Sequence, residues 1–248
     1  MNAELWVLAG GAAIAGFVQG ISGFAFGMVA MSLWVWTIDP RVAAVMSVLG
    51  GLTGQALSAV TVRRGLHLGL LWPFVAGALV GVPLGLVVLP MLNPAWFKGL
   101  LGLILLVFCP AMLWAGRLPS ISHGGRLGDA AAGAVGGVMG AVGGFTGVAP
   151  ALWCTLRGYN RDEHRAVLQN FNLAALTATA VGLWWSGHIN AEVLPRYAVV
   201  APALVLPSML GARVYLGLSA AQFRQVVLVV LTVSGVAMVG SALHAAWA

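Results

Sequence analysis

Charge is scarce in this chain of 248 residues, where Lys, Arg, Asp and Glu together make only 7%. Soluble domains carry about 25% charged residues, so the shortfall excludes an ordinary solvated surface. With 60% hydrophobic residues and a mean hydropathy of +0.98, the chain holds more apolar surface than one soluble core can bury. Acids are the scarcest charges. The six, Glu4, Asp39, Asp129, Asp162, Glu163 and Glu192, stand at the ends of apolar segments or in loops, so no buried carboxylate is expected as a proton relay. Cysteine is limited to Cys109 and Cys154. Both fall in apolar stretches with no His or Cys at ligand spacing, which predicts buried free thiols rather than a disulfide or a metal site. No cofactor is expected. No Lys or Arg precedes the first apolar run, which carries Glu4 instead, so a membrane segment is expected there rather than a secretory signal. The net charge of +6 and pI near 10.4 come from Lys and Arg in short links, a pattern of membrane orientation and not of nucleic-acid binding.

What the chain has in abundance is apolar sequence at membrane length. Eight segments lie near Leu5–Trp36, Val42–Val62, Leu68–Leu89, Gly99–Gly116, Ala130–Leu156, Ala166–Ser186, Val193–Ala212 and Gln225–Ala246, which predicts an all-α polytopic membrane protein. The 34 glycines are not scattered. GFVQGISGFAFG at Gly16–Gly27 recurs as GGVMGAVGGFTG at Gly136–Gly147, with Gly16, Gly20, Gly23 and Gly27 displaced by 120 positions. This spacing puts the glycines on one helix stripe, where backbone can approach a neighbour or a solute closely. Leu92–Met112 aligns without gaps at a displacement of 126 with Leu218–Met238, Pro73 matches Pro195, and Gly85 matches Gly211. The expectation is two homologous four-segment halves, residues 1–118 and 119–248.

The first and fifth segments are expected to be broken or re-entrant. As one straight helix, the uncharged run Leu5–Ile38 would be roughly 50 Å long against a hydrocarbon core of ~30 Å. If every segment crosses, the Lys and Arg divide five against seven; if the Gly-rich segments fold back, they divide three (Arg41, Lys98 and Arg196) against nine. The positive-inside rule favours the second arrangement, in which an odd number of crossings inverts one half relative to the other. Long tilted helices keep the first open.

GGFTGVAPAL (Gly143–Leu152), GISGFAFGMVAMSL (Gly20–Leu33), the eight segments and the two-half layout resemble the sulfite exporter TauE/SafE family of membrane permeases, over essentially the whole chain. The resemblance implies transport of small anions, with sulfite and organosulfonates such as sulfoacetate the usual class, and a multi-pass location in the cell membrane, the inner membrane in a bacterium. Pro150 has Ala30 as its counterpart, so only the second half's Gly-Pro pattern carries over. A small anion and the lipid bilayer are the expected partners; a homo-oligomer is left open.

A broken helix near the midplane offers unpaired N–H groups and a positive dipole end, which hold an anion without a buried Arg. The expected site lies where Gly20, Gly23 and Gly27 face Gly140, Gly143, Gly144 and Gly147, with Ser22 and Thr146 as hydroxyl donors. Gln169, Asn170 and Asn172 open the sixth segment and join the candidates, with Ser47 at the place matching Gln169 and with Gln19, Gln55 and Thr177 weaker. The competing class is an intramembrane serine protease, because Gly20-Ile21-Ser22-Gly23 matches a GxSG nucleophile sequence. A serine nucleophile needs a base within hydrogen-bond reach, yet His67, His123, His164 and His188 lie in loops and His244 near the C-terminus. The second copy has no serine there, so no enzyme and no catalytic residue is expected. A membrane assembly factor without transport is the third reading.

Overall fold

The computed structural model describes residues 3–61, 65–114, 121, 123–214 and 220–247. Ten α-helices follow in order: α1 (Ala3–Ser22), α2 (Phe26–Trp34), α3 (Pro40–Thr61), α4 (Leu68–Val88), α5 (Pro94–Leu113), α6 (Gly125–Gly143), α7 (Val148–Leu156), α8 (Arg161–Trp185), α9 (Val193–Val214) and α10 (Ala220–Trp247). Helix starts follow local chemistry. Asn93 accepts from Ala95 N ahead of Pro94 at the first position of α5, and Asn160 with Glu163 forms a reciprocal capping box at α8, satisfying N–H groups that have no partner within the helix.

Seven helices among the described residues are long and apolar enough to cross a membrane. The eight segments read from sequence thus correspond to seven such helices. The difference is at the fifth segment. Its helix α6 begins at Gly125 and carries Arg126 and Asp129 in its first two turns, and its partner α7 has only nine residues, about 13 Å of helix.

Gly23 (φ +85) follows α1, and Gly144 (φ +76) follows α6. A side chain at either position would be strained, and both residues are glycine. Beyond each, the chain turns back. Trp34 at the end of α2 donates its indole N–H to Val7 O near the start of α1, 3.2 Å. Trp153 near the end of α7 donates to Asp129 Oδ1 near the start of α6, 2.7 Å, and Ile121 N donates to Leu156 O, 2.6 Å. Each short helix therefore lies along the long one before it as a hairpin.

The hairpins seat on partner helices through small residues. A Cβ built on Gly16 would stand 2.7 Å from Leu204 O of α9, and one on Gly137 would stand 2.7 Å from Ala78 O of α4. Likewise Gly211 meets Phe17, and Gly85 meets Val138. Exchanging α1 with α6 at a displacement of 121 and α4 with α9 at 126 turns each contact into the other. The positive-φ glycines Gly23 and Gly144 obey the same 121, one more than the displacement of 120 read from the glycine frame. Gly102 of α5 and Gly235 of α10 would each place a Cβ 2.9 Å from the other's carbonyl oxygen. Such backbone approach is what drives association where lipid is as apolar as the helix.

One end of the bundle carries Glu4, held by Arg196 Nε at 2.8 Å, and Lys98 over the Trp36 ring at 4.4 Å; the other carries Arg126 near the Trp72 ring at 5.9 Å. Trp6, Trp96, Trp184 and Trp185 ring the first end, Trp72 and Trp114 the second, all more than half exposed. Two such belts mark membrane interfaces. Between them, α4 turns Leu79, Val80, Leu84 and Val87 outward, and α10 Val226, Val229, Val230 and Val233. Arg63, Arg64, Arg117 and the boundary at 118 and 119 lie outside the described residues.

Asp129 stands near the start of α6, at a segment end as expected, but it is buried, because α7 folds back and lays Trp153 over it. Cys109 and Cys154 are buried free thiols.

Candidate functional site

The tips of the two hairpins meet inside the bundle. A Cβ on Gly27, at the start of α2, would stand 2.5 Å from Gly144 O, so the hairpins touch backbone to backbone there. The first tip is fastened to α3. Gln55 Nε2 donates to Gly23 O at 2.6 Å, and Gln19 Nε2 donates to Gly51 O at 3.3 Å. α3 also holds the second tip, through Ser47 Oγ donating to Gly143 O at 2.7 Å. α8 completes the cluster. Thr146 Oγ1 donates to Asn172 Oδ1 at 2.7 Å, and the Asn172 amide stands 3.0 Å from where a Gly147 Cβ would be. Gly147 is the cap of α7, so the Asn172 amide lies against the positive end of that helix.

Three side-chain atoms here are buried without a hydrogen-bond partner: Asn172 Nδ2, Gln19 Oε1 and Gln55 Oε1. All three residues are about 1% exposed. An unmet buried amide group costs roughly 1–3 kcal/mol, so these atoms indicate where a bound species gains most. In the second half the unmet atom is a donor; in the first half both are acceptors.

The sequence candidates separate accordingly. Gly23, Gly27, Gly143, Gly144, Thr146, Gly147 and Asn172 come together at the tips. Ser22 is at the first tip, but its hydroxyl oxygen accepts from Ala25 N at 3.2 Å and Phe24 N at 3.4 Å, which occupies it as a cap for the turn into α2. Gly20 packs against Ser208 O and Ala212 N of α9, and Gly140 against the Thr146 methyl; both permit close packing. Asn170 Nδ2 donates to Ala166 O of its own helix at 2.8 Å. Gln169 is half-buried on the same turn of α8. Asp129 and its partner Trp153 were missed, since only the fold-back of α7 brings them together. Beyond them, in the link after α7, burial and the Asp129 carboxylate push the Tyr159 phenol above its usual range.

Compared with known proteins, the chain matches the family model described as Sulfite exporter TauE/SafE over residues 8–238. No curated protein matches it, and no solved structure matches it.

Proposed function

We propose a function from one premise: the chain belongs to the sulfite exporter TauE/SafE family. This is a family of membrane permeases, not of enzymes. In our reading the chain carries sulfite or an organosulfonate across the cell membrane, and the anion binds where the hairpin tips meet. The observation that carries this is the buried, unpartnered Asn172 Nδ2 beside the N-terminus of α7. A small oxyanion placed there gains that donor and the helix dipole together, and it needs no buried Arg.

The two halves are homologous and inverted in this proposal, each with one re-entrant hairpin (α1–α2 and α6–α7) and three crossings. The exchange of contacts between α1·α9 and α6·α4 supports it. So does the division of charge, because Arg41, Lys98 and Arg196 then face one side and the other nine Lys and Arg the cytoplasm. Ser22 as a protease nucleophile is disfavoured, since its oxygen is taken up by two backbone N–H groups. Flux of radiolabelled sulfite and sulfoacetate in proteoliposomes, with and without a pH gradient, tests the function. Saturable flux lost in Asn172→Leu is the expected result; absence of flux of either solute in the native protein overturns it.

A further inference from the structure

The first hairpin tip has a chemistry opposite to that of the second. Gln19 and Gln55 lock α1 to α3 reciprocally. Gln19 Nε2 reaches Gly51 O, and one turn further on Gln55 Nε2 reaches Gly23 O. Backbone carbonyls accept only, so each amide must present its nitrogen to the carbonyl and its oxygen the other way. Both of those oxygens are buried and unpartnered. The Gln19 amide is pressed onto α3, with its atoms 2.5–2.6 Å from where a Gly54 Cβ would stand, so any side chain at residue 54 would displace it. Gln19 and Gly23 are separated by one helical turn, as are Gly51 and Gln55, so the two clamping amides stand on successive turns of the α1–α3 seam. Beside them runs the non-helical link at Gly23, whose carbonyl oxygen accepts from Gln55 Nε2 and keeps a second lone pair.

We infer that Gln19 Oε1 and Gln55 Oε1, with carbonyl oxygens of the Gly23 link, form a site for a sodium-sized monovalent cation that binds together with the transported anion. Neutral oxygens on a broken membrane helix suit a hard monovalent ion, whereas divalent ions are held with carboxylates. The second half has no counterpart, because at the displacement of 121 Gln19 corresponds to Gly140. Charge completes the argument. An anion alone at the α7 end, or a cation alone at the α1–α3 clamp, is a net charge taken out of water. Bound together at touching hairpins they make a neutral pair, and each raises the other's affinity by the same factor. The pairing rests on the anion reading above, whereas the cation site does not.

The test is thermal unfolding of the purified full-length protein, titrated with sodium gluconate against choline and potassium gluconate at constant ionic strength, first without and then with sulfite. Sodium is expected to raise the unfolding temperature saturably when no sulfite is present. Gln19→Leu and Gln55→Leu should abolish that rise. Gln55→Glu, which keeps an oxygen and adds charge, should shift the titration to at least tenfold lower sodium. Sulfite should lower the half-saturating sodium about fivefold or more. No saturable difference between sodium and choline, or an undiminished one in both Leu variants, overturns the proposal and leaves these oxygens to buried water. A sodium response unchanged by sulfite keeps the cation site and refutes its coupling to the anion.

Discussion

Replacing Asn172 by Asp and by Leu separates the anion reading from a purely structural role for this amide. Asp keeps the acceptor that Thr146 Oγ1 now uses at 2.7 Å and exchanges only the unpartnered Nδ2 for a second oxygen. Leu loses both. For packing alone, Asp is therefore the gentler change apart from its charge. For an anion beside the α7 N-terminus it is the harsher. Loss of one donor to a charged ligand costs about 1.5–3 kcal/mol, or roughly 10- to 150-fold in affinity. A carboxylate about 4 Å from the anion adds roughly 4 kcal/mol at an effective dielectric constant of ~20, close to a further thousandfold. Protonation removes the charge of the introduced Asp and leaves an O–H donor, so its deficit should shrink as pH falls, while the deficit of Asn172→Leu stays constant. The assay is concentration-dependent uptake of an alkyl sulfonate, whose charge is constant over the range, into proteoliposomes at matched protein content between pH 5 and 8. Affinities equal in the two variants at every pH, with both folded, refute the placement of the anion.

Three further outcomes follow from other contacts. Gly27→Ala puts a methyl 2.5 Å from Gly144 O, and because both partners are backbone the hairpins must separate; transport should fall at least tenfold at unchanged membrane abundance, measured as flux per molecule. Trp153→Phe and Asp129→Asn should each lower the unfolding temperature, and a double-mutant cycle should give a coupling of about 1–3 kcal/mol for the 2.7 Å bond between them; additivity would mean that the bond does not brace the α6–α7 hairpin. In a background without Cys109 and Cys154, cysteines at His123 and Arg157 should escape an external impermeant thiol reagent while one at Ser186 reacts; opposite labelling of His123 and Arg157 would restore eight crossings.

Much of the helix layout is written in apolar run length, since a bilayer leaves the backbone few options besides a helix. The fold-back of α2 and α7 is carried by composition less directly. Glycine frequency marks both stretches, but φ +85 at Gly23 and +76 at Gly144 are what end the helices, and those residues are 121 apart where the four-glycine frame gives 120. The frame misplaces the break by one residue because its glycines serve two ends. Gly16 and Gly20 admit the backbone of α9, whereas Gly23 supplies a turn; packing and turning share a residue type, so spacing alone cannot sort them. The burial of Asp129, which borders the fifth segment in sequence, is hidden for a related reason. Hydropathy begins the fifth segment at Ala130, while the helix begins at Gly125, since five of the eight residues from Gly124 to Ala131 are Gly or charged and dilute the apolar signal.

The polar residues at the tips show where the halves diverge under the two-half reading. At a displacement of 121, Thr146 corresponds to Ala25, and Gln19 to Gly140. Each half has thus kept a polar side chain where the other has a small apolar residue or glycine, although the packing contacts of α1 on α9 and α6 on α4 remain interchangeable. A symmetric frame permits two arrangements of equal energy, as alternating access requires. Symmetric chemistry at the tips would make two equivalent sites. With the unmet donor at one tip and the unmet acceptors at the other, the proposed anion has one position only, and under the proposed transport reading the frame stays free to present that position to either side.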